Sequence, residues 1–311
     1  MSSINDYTVA WICAIAEEYT AAIALLDKQY EPPQGFRNNL GEFTFGRIGK
    51  HNVAIGVCGK GDYGTTSAAW VSKIMITHLP KIQYGLVVGV AGGVPSRRHD
   101  IRLGDVVVSV PSNGNSGMLH YGGGEYIQGG GCKYRTSHLP APPQALLSAV
   151  KKLEHHHRHE GHKLNGVVER AFAKWTRLQR KYRRPDPGTD RLYRSDSFHS
   201  IDSDGDCGTH CDHSGLVLRP RRTRNPHDPV IHHGLIASGD LVVKDSQTRD
   251  RLGMEKDILC FEMEAAGAMS VLPCLAVRGI CDYADSHKNK DWQGYAAMVA
   301  AAYAKDVLYQ V

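Results

Sequence analysis

The chain alternates short, continuous apolar runs with helix-like segments, and this alternation restricts its fold more than any other feature. Runs such as 8–15, 84–90 and 274–280 are almost entirely apolar, as strands buried on both faces are. Helical patterns lie between such runs, for example over 65–78 and 292–309. Strands alternating with helices of this length predict an α/β fold, with three α/β/α layers around a mixed, largely parallel sheet. The other predicted strands are 43–48, 52–59, 105–110, 234–238 and 257–261, and the other helices are 17–28, 143–160, 245–256 and 264–271.

The middle of the chain departs from this alternation. Residues 111–135 include two Gly-Gly-Gly triplets, at 122–124 and 129–131, and predict a long loop or lid without regular structure. Beyond the next helix, residues 160–229 are rich in His, Arg, Asp and Ser and poor in apolar residues, which favours only partial order. We therefore expect one domain over 7–311 with a His/Arg-rich internal insertion at about 160–229.

Much of the net charge of +5 comes from residues 151–224, which include the basic runs 180–184 and 219–224. A solvated loop is the preferred interpretation of these runs, and no nucleic-acid partner is expected. No run approaches the 18 to 20 or so apolar residues of a membrane span. The first residues have no charged segment ahead of a long apolar run, so no secretion signal is expected there. Six of the eight cysteines lie in apolar or Gly-rich runs, which indicates reduced thiols in a cytoplasmic protein.

The remaining two cysteines, Cys207 and Cys211, lie in the polar motif C-x-x-H-C-D-H. A zinc site would need a second pair of ligands, which His199 with His227 or His232 could supply. A surface cluster or a Cys207–Cys211 disulfide is preferred, because the surrounding segment is polar and loop-like. We therefore expect no bound metal and no other cofactor.

Four predicted strands end in polar or glycine residues, at the sheet edge where open α/β proteins bind ligands. The four sets are Glu17 with Glu18, the glycine-rich run 89–93, the motif Glu262-Met263-Glu264, and Arg278 with Asp282. Each set also has a structural explanation, such as a helix cap, a tight turn or a surface ion pair. A buried carboxylate needs partners, and a ribose diol would offer it two hydroxyl donors, which favours a binding role for 262–264.

In sequence order, these segments resemble the nucleoside phosphorylase and methylthioadenosine nucleosidase family. The motifs are I-x-A-x-x-E-E at 12–18, G-x-A-G-G at 89–93, S-G-D at 238–240, E-M-E-A at 262–265 and R-G-I-x-D at 278–282. The likeness covers 7–110 and 233–308, and the last two motifs are its most specific part. The sequence of residues 282–297 is most similar to that of the fungal, purine nucleosidase-like branch of the family. Members of this branch also occur fused to signalling NTPase modules.

The resemblance implies a role for each matching residue. Glu264 would bind the 2′- and 3′-hydroxyls of ribose, and Met263 would pack under the sugar. Asp282 would protonate or hydrogen-bond to N7 of the purine. Glu18 would position the attacking water. Glu262, beside Met263, is assigned to the substrate site as well.

The resemblance also places backbone and apolar groups around the nucleoside. The backbone of Ala91 and Gly92 would line the site. Val242 and Val243 would lie beside the base, where the family often has an aromatic ring. Family members commonly form dimers or higher oligomers in which a neighbouring subunit closes the ribose 5′ end, so a homo-oligomer is expected.

These roles predict a purine nucleosidase that hydrolyses inosine, guanosine or adenosine to the free base and ribose. A phosphorylase would need a cationic or amide-lined anion pocket beside C1′, and the carboxylate of Glu18 favours water instead. Arg47 and Arg278 keep phosphate-dependent cleavage open as an alternative. A nucleoside sensor with little turnover is a second alternative, although a pure binder would not need Glu18, Glu264 and Asp282 together. In a third alternative, the basic insertion is the functional region of the protein and binds RNA or a partner.

Overall fold

The computed structural model describes residues 2–37, 40–126, 128, 132–199, 207–222 and 227–311. The strands are β1 (Tyr7–Cys13), β2 (Lys28–Tyr30), β3 (Glu42–Ile48), β4 (His51–Val57), β5 (Tyr84–Gly93), β6 (Val106–Ser109), β7 (Met118–Tyr126), β8 (Cys132–His138), β9 (Ile231–Ser238), β10 (Ile258–Glu262) and β11 (Cys274–Asp282). The helices are α1 (Ala16–Ala24), α2 (Thr65–His78), α3 (Gln144–Glu160), α4 (Leu164–Lys174), α5 (Gln179–Tyr182), α6 (Cys207–His210), α7 (Ser246–Lys256), α8 (Ala265–Met269) and α9 (Gln293–Gln310). Each strand and helix predicted from the sequence is present, within about four residues of its predicted bounds.

The described strands form one mixed sheet in the order β2-β3-β4-β1-β5-β11-β6-β9-β7-β8, with β10 paired to both β5 and β9. Strand β1 is parallel to β4 and β5, β5 is parallel to β11, and β9 is parallel to β6, β7 and β10. The other pairs are antiparallel. The pairings β5–β11–β6–β9–β10–β5 form a closed circuit, so the carboxyl ends of several strands meet around one small area.

The helices form two groups that cover the sheet. Helix α9 packs on β5 and β11 and contacts α1, α3, α4 and α5, whereas α2 contacts α8, β1 and β4. This arrangement confirms the predicted three-layer α/β/α fold. Helix α9 approaches the sheet closely because its sheet-facing side is largely alanine. A Cβ added to Gly279 of β11 would lie 1.9 Å from the carbonyl oxygen of Ala296 in α9. Within the described residues, no helix is both long and apolar enough to cross a membrane.

A second close approach, between α2 and α8, gives a test of the packing. A Cβ added to Gly267 would lie 1.7 Å from the carbonyl oxygen of Thr65, so the helices would have to separate. We expect Gly267→Ala to lower the free energy of unfolding by about 1–3 kcal/mol in urea denaturation. Gly166→Ala is the matched control, because its Cβ meets only the end of Arg170, at 3.7 Å. Since Gly166 lies within α4, this substitution should stabilise the chain by about 0.4–1 kcal/mol. Equal stability of the two variants would show that α2 and α8 are not packed as described.

The glycine-rich segment 111–135 differs from its prediction. The described part includes β7 and β8, which pair antiparallel, with Leu119 opposite His138. Strand β7 also runs parallel to β9, where Met118 pairs with Ile236. The prediction of a long loop or lid was therefore wrong for these residues, because pairing with a strand more than 100 residues away overrides the local glycine content.

The insertion is also more ordered than its composition predicts. Within it, α4 buries Leu164, Val168 and Phe172 against α9. The interpretation of 219–224 as a solvated loop is wrong for Arg219 and Arg222, whereas Arg221 is exposed. Arg219 pairs with Asp190 at 3.0 Å, and Arg222 pairs with the buried Asp105 at 2.7 Å. Ion pairs between distant parts of the chain therefore hold the basic segment against the core.

Candidate functional site

The register of the central strands brings the four predicted sets to the same edge of the sheet. Arg278 of β11 pairs with Gly89 of β5, and Asp282 pairs with Gly92. Strand β10 joins from the other side, with Phe261 opposite Gly92. Strands β1, β5 and β11 run in one direction, and β9 and β10 run in the opposite direction. Because β10 pairs with β5 where both strands end, the carboxyl ends of these strands lie together, at a candidate ligand site.

Arg278 is the centre of a buried ionic cluster. Its Nη2 contacts the carboxylate of Glu262 and lies 3.4 Å from Oε2 of Glu264, and its Nη1 lies 3.9 Å from Oε1 of Glu18. Burial opposes the charged guanidinium, but these three carboxylates outweigh it and raise the pKa of Arg278. Three acids therefore share one cation. Among the described residues, Nε of Arg278 is buried without a hydrogen-bond partner.

Glu18 is held by backbone amides at the end of β1. Its Oε2 accepts hydrogen bonds from the amides of Ala14 at 2.6 Å and Ile15 at 3.3 Å, and its Oε1 accepts one from Val90 at 2.8 Å. The side chain is buried, which raises its pKa, while Arg278 and these amides oppose the rise. Gly89 is required here, because an added Cβ would lie 2.1 Å from Oε1 of Glu18. Glu18 thus caps the first turn of α1 and also faces the cluster.

The two glutamates of the E-M-E-A motif have different surroundings. Glu262 accepts hydrogen bonds from the amides of Glu264 at 3.1 Å and Ala265 at 3.0 Å, in addition to its contact with Arg278. Glu262 therefore caps the start of α8, one of the structural explanations that the sequence offers for this motif. Within the described part of the chain, Glu264 makes only longer contacts, with Arg278 and with the amide of Met263, both at 3.4 Å. Its carboxylate retains acceptor capacity for a ligand.

Burial raises the pKa of Glu264 to about 8. The positive charge of Arg278 opposes this rise, and the negative charges of Glu262 and Glu18 add to it. A ribose diol donates to the ionised carboxylate, so the neutral form should bind the sugar poorly. We expect the ascending limb of kcat/KM to follow the ionisation of Glu264, with a rise of about tenfold per pH unit up to about pH 8, since this ratio reports the free enzyme. The check is a pH profile of wild type beside Glu264→Gln. An ascending limb that survives in Glu264→Gln would assign it to another group.

Asp282 lies half-buried at the end of β11. Its Oδ1 accepts a hydrogen bond from the amide of Ala284 at 2.8 Å and lies 3.0 Å from Nζ of Lys288. A Cβ added to Gly92 would lie 2.7 Å from this oxygen, so glycine lets β5 approach the acid. Lys288 was not identified from the sequence, because nothing in the spacing of the loop after β11 marks a contact with Asp282.

The remaining predicted residues are distributed around this edge. Ala91 and Gly92 are buried in β5, and Met263 is half-buried between Glu262 and Glu264. Val243 packs partly against an apolar cluster that contains Tyr121 and Phe261, which are aromatic groups near the predicted position of the base. Val242, by contrast, is 47% exposed on the loop before α7. Asp240 of the S-G-D motif accepts hydrogen bonds from the amide and hydroxyl of Thr65 at the start of α2. This motif therefore joins two elements.

Comparison with known proteins gives the family. Residues 8–168, just over half of the chain, match the model of the phosphorylase superfamily. The chain belongs to the phosphorylase superfamily. Solved structures of the same fold include Helicobacter pylori futalosine hydrolase, with a TM-score of 0.57 and 16% identity, covering 98% of this chain and 99% of that one. Another is the H. pylori 5′-methylthioadenosine/S-adenosyl homocysteine nucleosidase, with a TM-score of 0.58 and 15% identity, covering 99% and 100%.

Curated sequences add two relatives. The chain is 40% identical over 308 residues to a nucleotide-binding leucine-rich repeat (NLR)-like protein of Hyaloscypha variabilis. That alignment covers 98% of this chain and 29% of the relative. This chain is also 34% identical over 85 residues to the ATP nucleosidase Cap17 of Escherichia coli. That second alignment covers 25% of this chain and 17% of Cap17. The chain therefore spans less than a third of the length of these curated relatives.

Proposed function

We propose that this chain hydrolyses the N-glycosidic bond of purine ribonucleosides, such as inosine, guanosine or adenosine, to give the free purine and ribose. The observation that carries the proposal is the buried cluster in which Glu18 and Glu264 share Arg278, next to Asp282 at the same sheet edge. Cleavage of an N-riboside develops positive charge on the sugar and negative charge on the base. Carboxylates at the sugar and a proton donor at the base are the groups this reaction requires.

At the sugar, Glu264 would accept hydrogen bonds from the 2′- and 3′-hydroxyls. Its carboxylate has the fewest close partners in the cluster, so it can exchange its 3.4 Å contacts for stronger ones. Its negative charge would also stabilise the oxocarbenium-like transition state. Met263 would pack under the ribose, and Glu262 would hold the start of α8 and Arg278 in place.

Glu18 would orient and deprotonate the attacking water. Burial raises its pKa, which makes it a better base than an exposed glutamate, and three backbone amides fix its position. Deprotonation of water as it attacks C1′ would leave Glu18 neutral and place the oxygen on the sugar. The proton would then return to solvent as the products leave.

Asp282 would deliver a proton to N7 of the purine as the glycosidic bond breaks. The Lys288 ammonium, 3.0 Å from Oδ1, would then stabilise the carboxylate that remains. The backbone of Ala91 and Gly92 would lie along the base next to Asp282, because Gly92 pairs with Asp282 between β5 and β11. We place Val243 and the more exposed Val242 at the outer side of the base.

Phosphate-dependent cleavage is less favoured by the charges at this edge. Arg278 is already shared by three carboxylates, so it offers no net positive charge to an anion. Arg47 pairs with Asn52, which in turn pairs with Tyr7 at the beginning of β1. Glu18 follows the other end of β1, so Arg47 lies at the opposite edge of the sheet.

A second candidate substrate is a purine nucleoside 5′-triphosphate. It is favoured by the 34% identity with a relative named an ATP nucleosidase. The glycosidic bond, diol and N7 of ATP are those of adenosine, so the same residues would act on it. The two candidates differ only in what binds at the 5′ end of the ribose.

The test is to incubate the purified chain with inosine, guanosine, adenosine, methylthioadenosine and ATP and to resolve the free base chromatographically. We expect release of base from at least one unphosphorylated purine nucleoside, and a much lower rate of release in Glu264→Gln. Release from ATP alone would favour the second candidate. No release from any compound would contradict the enzymatic proposal and favour a nucleoside sensor. The proposal further includes a cytoplasmic homo-oligomer with one domain over 7–311, for which light scattering is the direct measurement of oligomeric state.

A further inference from the structure

Two cysteines and two histidines converge where the insertion meets the loop after β11. They are Cys207 and Cys211 from the insertion, His199 from just before the undescribed residues 200–206, and His287 from the loop. One potential ligand atom from each of the four lies within 4.8 Å of every other. The two sulfurs and two imidazole nitrogens therefore surround one point.

The distances between these atoms fit a tetrahedral ion. Nδ1 of His199 lies 3.0 Å from Sγ of Cys211 and 3.5 Å from Sγ of Cys207. Nδ1 of His287 lies 3.5 Å from Cys211 and 3.7 Å from Cys207. A tetrahedral zinc site, with Zn–S of about 2.3 Å and Zn–N of about 2.0 Å, separates sulfur from nitrogen by about 3.5 Å. Three of the four distances agree with this value to within about 0.2 Å.

The surrounding groups orient the cluster. Cys207 begins α6 and Cys211 follows its last residue, so the two thiols are one helical turn apart on the same side. Nε2 of His287 lies 3.2 Å from the carbonyl oxygen of Ser197, which fixes the proton on Nε2 and leaves Nδ1 as a metal ligand. The ring of Tyr193 stacks on His287 with centroids 3.8 Å apart and holds the imidazole in its plane.

We propose that His199, Cys207, Cys211 and His287 bind one structural zinc ion. Two thiolates and two imidazoles form a donor set that selects zinc over magnesium or calcium. The Cys207–Cys211 disulfide, one of the two preferred interpretations from the sequence, is not formed, and both sulfurs lie beside the two histidines. All four positions of the ion would be filled by the protein, so it would have no catalytic water.

The zinc ion would join the insertion to the loop that carries the proton donor. His287 directly precedes Lys288, whose Nζ contacts Asp282. Cys207, His287 and Asp282 also line one small cavity of about 60 Å³. Binding of the ion would therefore hold Lys288 next to Asp282. This positioning role rests on the proposed function, whereas the zinc site itself does not.

The test is the metal content of the full chain, measured by mass spectrometry after purification without chelators. We expect about one zinc per chain, and a loss of about tenfold or more in Cys207→Ser/Cys211→Ser. His213→Ala is the matched control, because this exposed histidine lies in the same segment outside the cluster. Cys211→His should retain zinc, since it exchanges one ligand for another. Zinc that persists in the double serine variant would overturn the proposal.

A second measurement does not depend on how the variants fold. Cobalt added to the zinc-depleted wild-type chain should give thiolate-to-cobalt charge-transfer bands and the intense visible bands of a tetrahedral site. Wild-type chain that contains no zinc and gives no such bands would overturn the site, as would a native Cys207–Cys211 disulfide. The outcomes are separable from the proposed function: bound zinc without nucleoside cleavage refutes only the enzyme, and cleavage without zinc refutes only the metal site.

Discussion

Asp282→Asn is expected to lower kcat for purine nucleosides by about 100- to 10,000-fold, the usual contribution of a positioned acid. Asparagine keeps the size and a hydrogen-bond donor but cannot transfer a proton to N7. The measurement is steady-state kinetics of base release, with the thermal melting temperature as a check that the fold is unchanged. A loss of less than about fivefold would contradict the assignment of Asp282 as the acid.

A nitrophenyl riboside provides the control for this prediction. Nitrophenolate leaves without protonation, so Asp282→Asn should cleave this substrate nearly as fast as wild type does. Glu264→Gln should impair both substrates, because both contain the same ribose diol. Equal losses on both substrates in Asp282→Asn would indicate that Asp282 positions the sugar or the loop and does not donate a proton.

Arg278→Gln is expected to lower the free energy of unfolding by about 3–5 kcal/mol, the cost of removing one partner from a buried ion pair. The substitution leaves Glu18, Glu262 and Glu264 without their shared cation in a buried site. Urea denaturation at neutral pH is the measurement. Arg158→Gln is the matched control, because it removes one arginine from an exposed pair with Glu154 and should change stability by less than about 0.5 kcal/mol.

The destabilisation in Arg278→Gln should increase with pH. Burial already raises the pKa of Glu18 and Glu264 in the fold, and loss of the cation raises both further. When folding raises the pKa of a carboxyl group, the folded state favours the protonated form of that group. The free energy of unfolding therefore falls as the pH rises above the unfolded pKa of about 4.3. The deficit should therefore be smaller at pH 5 than at pH 9. A deficit that is independent of pH, or below about 1 kcal/mol, would contradict the shared-cation account.

The regular elements could be predicted because their signals are local. Helix α2 follows its predicted bounds, and the core strands β5 and β11 begin where their apolar runs begin. Strands β7 and β8 could not be predicted in the same way. The glycines within β7 and those just before β8 favour a loop locally, but β7 pairs with β9, far away in the sequence, and β8 pairs with β7. The closed circuit through β10 depends on long-range pairing as well.

The candidate site was predictable in composition but not in arrangement. Glu18, Glu264 and Asp282 follow buried strands, and that position marks them in the sequence. The sharing of Arg278 among three acids depends on the register between strands, which local patterns do not specify. The same limit applies to His287, which lies 76 residues beyond Cys211 and approaches it only in the fold.

The sugar product formed with and without inorganic phosphate tests the central claim most directly. With the best purine nucleoside substrate, the account predicts free ribose in an amount equal to the free base, at a rate that does not depend on phosphate. Glu18 faces the cluster as a buried carboxylate, and such a group favours water over an anion at C1′. Ribose 1-phosphate that forms only when phosphate is present would contradict this role of Glu18 and make the chain a phosphorylase.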